Sequence, residues 1–444
     1  MRPNVLYIHS HDTGRYIQPY GHAVPTPRLA QLAGQGVLFR QAFCAAPTCS
    51  ASRAALLTGM HPHCCGMLGL AHRGWSLNDY GRTMIRALGG AGYQCALSGI
   101  QHIFGSSRQT AAAADTLGYH RILDRPDEGK PLNPNATHDR AAAFLRARPQ
   151  EPFFLDVGFG NTHRPFPSDV TEAEARYVRV PAPLPDHPQT RLDMAAFYRS
   201  AAELDAKIGT VLDALDEAGL AHNTLVICTT DHGIAFPLMK CNLTDHGLGV
   251  MLMLRGPGGL EGGRVVDAPV SHMDVFPTVC EVTGLAPPAW LQGRSLLPLV
   301  RGEADSLHDC LFGEVTYHAA YEPMRSARTD RWKYIRRFGE RRRPVMPNCD
   351  NGPSKSLLMA NGWRDRVLPT EELYDLVFDP NESHNLAFEP SCATALEQMR
   401  GRMDRWMKAT TDPLLDGPVG MPRGAVTSDP DAIDPEALLG PPRA

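Results

Sequence analysis

The sequence predicts an α/β domain whose sheet is covered by helices on both faces, followed by a smaller α+β unit built on an antiparallel sheet. Three observations carry this. Apolar strand-like runs alternate with helix-like segments as far as residue 306, short segments with turn signals take over from Leu307, and several apolar runs end in histidine or aspartate. In open sheets of the first kind, ligands gather beyond the carboxyl ends of the strands.

The elements follow in order. "NVLYIH" reads as a buried strand, and "TPRLAQLAGQG" as a helix with Thr26 as N-cap, Pro27 in the first turn and glycines at the end. "VLFRQAF" is the next strand. It leads into "CSASRAALLTG", a short helix with Ser50 or Ser52 as cap and Gly59 as stop. "TMIRALGGAGYQCALSG" is helix, turn and strand, and "HDRAAAFLRAR" with "PFFLDVGF" repeats the pattern. A long helix from Leu192 to Ala218 precedes the strand "TLVICTT". Beyond Leu307, "CLFGEVTY", "MRSARTD", "WKYIRRF" and "EELYDLVFD" read as antiparallel strands. A helix carrying Leu396, Met399, Met403 and Met407 on one side packs its stripe as core. The expected organisation is a catalytic domain over 1–306, a smaller domain over 307–412, and, over 413–444, an extended Pro/Gly-rich tail or an oligomer arm.

A formal charge of −4 with no basic stripe argues against a nucleic-acid partner, and no segment has the apolar length of a membrane span. The N-terminal apolar run is short and reads as a strand, not as a signal peptide. Eleven cysteines at irregular spacing fit a cytoplasmic protein with free thiols.

The chemistry gathers at the strand ends. "YIHSHD" puts His9 and His11 on one face by strand alternation, with Asp12 where the strand should stop, and "VICTTDHG" ends in Asp231 and His232. Two such ends together make a plausible divalent-metal site. His102 and His163 also follow apolar runs, and Lys240 comes shortly after Asp231. Cys49 falls near a helix N-terminus, where it is either a buried structural cysteine or a thiol whose pKa that setting lowers beside an anion site, and Arg53 adds a planar cation. This set suits hydrolysis of an anionic ester.

"CSASRAALLTG" resembles the sulfatase signature C-x-P-S-R, and "DHG", "SHMDVFPT", "GRSLLPLV" and "ELYDLVFDPNESHNLA" resemble later sulfatase blocks in order, over nearly the whole chain to residue 412. "HCCGMLGL", "GIAFPLMKCNL" and "EVTYHAAYEPMRS" bring it nearest to the sulfamidase branch. The resemblance implies an alkaline-phosphatase-like mixed sheet and oxidation of Cys49 to formylglycine by a maturation enzyme, the hydrated aldehyde being the nucleophile on sulfur. It also implies that Arg53 orients the nucleophile, that Asp12, Asp231, His232 and His11 hold a metal, and that Lys240, His102 and His163 bind sulfate or assist the leaving group. Glu314, His318 and Arg325 would shape the substrate pocket. The sequence departs from the pattern where His11 replaces an aspartate, His232 an asparagine, Ile100 a lysine and Ala51 the motif proline. Two imidazoles tilt the metal toward manganese, iron or zinc and away from calcium. The expected function is a metal-dependent sulfatase acting on a small sulfate ester or sulfamate, such as a sulfated sugar or aryl sulfate. The alternatives are a phosphonate monoester or phosphodiester hydrolase, or a catalytically silent homologue that binds sulfated sugar.

Overall fold

A computed structural model of the protein describes residues 2–105, 111–124 and 136–439. The strands of the first part are β1 (Asn4–Ser10), β2 (Val37–Phe39), β3 (Ala42–Phe43), β4 (Gln94–Gly99), β5 (Arg121–Ile122), β6 (Phe153–Gly158), β7 (Thr224–Thr230), β8 (Gly249–Val250), β9 (Leu252–Arg255), β10 (Arg264–Val266) and β11 (Val270–Ser271). Eight of them form one mixed sheet in the order β10-β2-β9-β7-β1-β6-β4-β5. Its centre, β7-β1-β6-β4, is parallel, and β9 runs antiparallel to both β7 and β2. The expected single strand "VLFRQAF" breaks at Arg40-Gln41, so that β3 joins a separate small sheet with β8 and β11.

Strand alternation explains why helices are needed on both faces. Val5 and Tyr7 of β1 pack into one core with Ala54, Leu56 and Leu57 of the helix Cys49–Thr58, whereas Leu6 and Ile8 pack into another. That second core takes Leu29 and Leu32 from helix α1 (Pro27–Gln35), and the helix Cys49–Thr58 is α2. It also takes Phe144 from α3 (Thr137–Arg146) and Leu204, Ile208 and Leu212 from α4 (Pro188–Glu217). Among the described residues, no helix is long and apolar enough to cross a membrane, and all eleven cysteines are free.

The remaining strands, β12 (Leu311–Tyr317), β13 (Tyr321–Arg328), β14 (Trp332–Arg337) and β15 (Glu371–Asp375), form an antiparallel sheet in that order. Helix α5 (Ala393–Ala409) buries Leu396, Met399, Met403 and Met407 against it, so the methionine stripe is core. Residues after Asp412 lie along their own chain: Tyr317 donates to the Val419 carbonyl at 2.7 Å, and Arg73 donates to Ser428 Oγ and the Pro435 carbonyl, both at 2.8 Å. The last five residues of the expected tail, 440–444, fall outside the described part.

A buried ion cluster joins this sheet to the turn after α2. His63 Nδ1 lies 2.9 Å from Glu314 Oε1, and Arg325 grips Asp412 through two hydrogen bonds of 2.6 and 2.9 Å. Burial alone would keep His63 neutral, but Glu314 outweighs it and raises the imidazole to about 10. Burial would likewise raise Glu314, yet His63 and Arg325 bring it down to about 2. The folded value of His63 lies above its ordinary 6.5, so its stabilisation is complete below pH 6.5 and is lost as pH rises toward 10. Glu314 lies below its ordinary 4.5, so its contribution is complete above pH 4.5 and is lost as pH falls toward 2. Urea unfolding of Glu314→Gln should therefore show a loss of about 3–5 kcal/mol near neutral pH, because it strands a buried charge. The gap between wild type and variant should narrow as pH rises from 6.5 toward 10. A gap independent of pH over that interval would rule out the ion pair as its cause.

Candidate active site

β1 and β7 are parallel neighbours with Ser10 opposite Thr230, so the chain leaves both strands at the same level. That register brings the two predicted ends together. Asp231 Oδ1 accepts from the backbone N–H of Asp12 at 2.8 Å and of His232 at 3.0 Å. Asp12 adopts φ 53°, a left-handed conformation that aspartate tolerates better than most residues. Its Oδ2 accepts from Lys240 Nζ at 3.0 Å. His232 Nδ1 is 2.9 Å from the Gly233 carbonyl, to which it must donate, so the neutral ring carries its lone pair on Nε2. That lone pair lies 3.3 Å from Asp12 Oδ1 and 3.3 Å from Cys49 Sγ.

Cys49 is the first residue of α2 and Thr48 its N-cap. The two serines expected to cap the helix are used elsewhere: Ser50 Oγ accepts from Ala71 N–H, and Ser52 Oγ donates to the Asp231 carbonyl at 2.5 Å. Arg53, one turn along, donates through Nη2 to the Ser10 carbonyl (2.8 Å) and to Asp231 Oδ2 (3.0 Å), and through Nη1 to His9 Nδ1. His9 Nε2 donates to Asp156 Oδ1 at 2.8 Å, and Tyr119 donates to Asp156 Oδ2 at 2.5 Å. His9 is therefore part of a buried chain that orients Arg53, and it does not share a face with His11, which lies beyond the end of β1. Burial opposes the Arg53 charge, but Asp231 more than restores it and raises its pKa.

The thiol corrects a local expectation. A helix N-terminus should lower the pKa of Cys49, yet burial pushes it well up, and Asp12 and Asp231 add to the rise against Lys240 and Arg53. As a thiol, Cys49 is protonated.

The remaining predicted residues surround this centre. Neither ring nitrogen of His11 has a hydrogen-bond partner, although Nδ1 lies 3.2 Å from Asp231 Oδ2, and Asp12 Oδ1 is also unpartnered. Ligating atoms of His11, Asp12, Cys49 and Asp231 all lie within 4.8 Å of one another, and those of His11, Cys49 and His102 form a second such group. Buried polar atoms left without a partner, as the His11 ring nitrogens and Asp12 Oδ1 are, cost about 1–3 kcal/mol each. A divalent cation would turn Asp12 Oδ1 and a His11 ring nitrogen into ligands, so the residues fit a metal. His102 adopts φ 58°, and its Nε2 is 3.1 Å from Nδ1 of His72, whose ring stacks on it. His163 Nδ1 donates to the Arg164 carbonyl at 2.6 Å, which turns Nε2 inward to 3.9 Å from Asp12 Oδ2.

Of the three expected pocket residues, only His318 belongs near this centre. Burial lowers its pKa well below the ordinary value, and Lys240 adds to the shift. Glu314 and Arg325 are a correction: they are 1% and 0% exposed and are committed to the ion cluster with His63 and Asp412. Sequence reasoning missed Asp350, whose Oδ2 lies 2.9 Å from Lys240 Nζ. It stands in "MPNCDNG", a stretch with no helical or strand period to mark it.

A sulfatase family model matches residues 3–285, and a model of the C-terminal region of N-sulphoglucosamine sulphohydrolase matches residues 239–355. The chain belongs to the sulfatase family. It is 29% identical to N-sulphoglucosamine sulphohydrolase of Homo sapiens, across 94% of this chain and 92% of that protein. A putative sulfatase from Bacteroides thetaiotaomicron superposes with a TM-score of 0.72 at 23% identity, covering 98% of this chain and 99% of the other. A further structure, solved in complex with its substrate D-glucosamine-2-N,6-O-disulfate, gives 0.66 at 18% identity over 94% and 99%. The fold is thus the alkaline-phosphatase-like sulfatase fold, and this sulfatase is a sulfuric ester hydrolase.

Because both nitrogens of His11 are unpartnered, His11→Leu should leave the metal-stripped sulfatase as stable as wild type or more so. With manganese added, the wild type should gain about 2.7 kcal/mol at a hundredfold excess over Kd, while the variant needs at least about tenfold more metal for the same gain. Equal metal affinities in thermal melts would exclude His11 as a ligand.

Proposed function

We propose that this sulfatase hydrolyses a sulfate ester or sulfamate of a sugar, using Cys49 converted to formylglycine and one divalent metal held by Asp12, Asp231, His232 and His11. The observation that carries the reading is a cysteine kept protonated by burial and carboxylates, yet set among Arg53, Lys240, His232 and Asp231. A thiol in that state is a poor nucleophile, so the position makes chemical sense as a precursor. When present, the hydrated aldehyde supplies a hydroxyl to attack sulfur and the metal supplies positive charge to the sulfuryl oxygens.

The chain's own groups do the rest. Arg53, fixed by Ser10, His9 and Asp231, holds position 49 against the strand ends and keeps a positive charge in a water-poor site. Lys240 holds Asp12 in place and offers its remaining donors to a sulfuryl oxygen. His163 points Nε2 inward, with its side chain 41% exposed, and passes a proton to the departing oxygen or nitrogen as the bond to sulfur breaks. His102, steadied by His72, hydrogen-bonds the sulfuryl group from the other side. The relative named N-sulphoglucosamine sulphohydrolase supports an amino-sugar substrate, as does the neighbour solved with a glucosamine disulfate. The maturation step requires a formylglycine-generating enzyme that accepts Ala51 in place of proline.

Peptide mass spectrometry should find Cys49 with CHO in place of CH2SH, and Cys49→Ala should lower sulfate release by at least about 1000-fold. Faster turnover of an aryl phosphonate monoester than of the matching aryl sulfate would favour the phosphonate hydrolase. No hydrolysis by fully converted, metal-loaded protein would leave a binding protein instead.

A further inference from the structure

We infer that Asp350 selects the leaving group: its carboxylate accepts a hydrogen bond from a hydroxyl or amine on the carbon adjacent to the sulfated one, favouring polyhydroxylated or amino-sugar substrates over plain alkyl ones. The inference rests on the hydrolase reading and specifies its substrate class.

Three features support it. Asp350 is held in place. Asn348, two residues earlier, donates to the Ala320 carbonyl (3.3 Å) and to Glu322 (2.9 Å), while Lys355 donates to the Cys349 carbonyl at 2.7 Å and to Asn351 Oδ1 at 2.9 Å. A carboxylate fixed by its neighbours can act as a geometric filter. It also keeps acceptor capacity: Oδ2 pairs with Lys240 Nζ at 2.9 Å, and a carboxylate has further lone pairs to offer. The side chain is 19% exposed, whereas Asp12 and Asp231 are sealed at 0%.

The third feature is charge. Lys240 stands between Asp12 on the metal side and Asp350 on the other, and His163 and His318 interact with Asp350 as well. A carboxylate repels sulfuryl oxygens, so it cannot serve the anionic half of the substrate. What it can hold is a donor on the half that leaves. His163 serves the departing atom, and Asp350 the donor beside it. A site built to bond a hydroxyl discriminates strongly against an analogue lacking it, because its own polar group is then left unpaired.

The bland alternative is that Asp350 only neutralises Lys240. Two matched pairs separate these: glucosamine N-sulfate against cyclohexylsulfamate, and glucosamine 3-sulfate against cyclohexyl sulfate, assayed on metal-loaded protein with Cys49 conversion verified. In whichever pair is turned over, wild type should favour the sugar, and Asp350→Asn and Asp350→Ala should cut kcat/KM for the sugar by about 10- to 100-fold, mostly through KM. The alkyl partner should change less than about threefold. Equal loss on both members would overturn the inference and leave the hydrolase reading standing. Inactivity of converted wild type on all four would sink the reading and the inference with it. Should either variant fold poorly, the wild-type ratio decides, since no preference for the sugar also overturns the inference.

Discussion

Asp231 is a carboxylate sealed between the ends of two parallel strands, and its compensation by Arg53 is the constraint on which the site depends. The register of β1 with β7 forces Asp12 and Asp231 to emerge side by side, which places two formal anions where no water reaches them. An isolated buried carboxylate would cost several kcal/mol, and removing a partner from such a pair costs about 3–5 kcal/mol. Arg53 answers this from the second turn of α2 and also bonds the Ser10 carbonyl, so one side chain ties the helix to both strands. Behind it, Tyr119, Asp156 and His9 form a line of hydrogen bonds that leaves the guanidinium one orientation. The direction of each bond follows from the chemistry: Arg53 can only donate, so His9 Nδ1 accepts, and Nε2–H is left to donate to Asp156.

The formal charges show why the site suits a divalent cation. Asp231 pairs with Arg53, while Asp12 and Asp350 share Lys240, so among the described ion pairs at the centre the negative formal charge exceeds the positive. His11 and His102 do not close the gap, because burial holds both rings neutral. A doubly charged ion restores balance at the place where the unpartnered atoms converge. The same reasoning separates Cys49 from a cysteine-hydrolase nucleophile, whose thiolate needs a net positive surrounding.

Much of this was legible in the sequence because the chemistry sits at strand ends. Asp12, Asp231 and His232 follow apolar runs, and the parallel sheet converts their place in the chain into a place in space. Cys49 and Arg53 are local to one helix and were readable as a pair. What failed were inferences that needed burial. The helix N-terminus argument treats Cys49 as solvated, and desolvation reverses its sign. The resemblance puts Glu314 and Arg325 at the pocket, but they meet His63 and Asp412 across the packing of β12 and β13 on the turn after α2. Asp350 and His72 are long-range additions. Asp350 lies in an irregular segment and His72 in a single 3-10 turn, and only tertiary packing brings Asp350 to Lys240 or His72 to His102.

The division of labour between the two sheets follows from those sources. Groups proposed for bond cleavage come from the large sheet and α2, where register and burial permit little movement. Asp350, proposed to meet the organic part of a substrate, comes from an irregular segment pinned by hydrogen bonds of its own. Arg73 shows how tightly: beside His72, it donates to the Ala319 carbonyl next to His318, and it is held by Ser428 and Pro435 from the C-terminal segment. Ser428 N–H and Thr427 Oγ1 bond the same Ala319 carbonyl at 2.7 and 2.9 Å. The end of the chain thus clamps the loops that carry His72 and His318 without touching the strand ends. That segment is separate from the Arg53–Asp231 centre, the arrangement in which loops can vary while a core stays fixed.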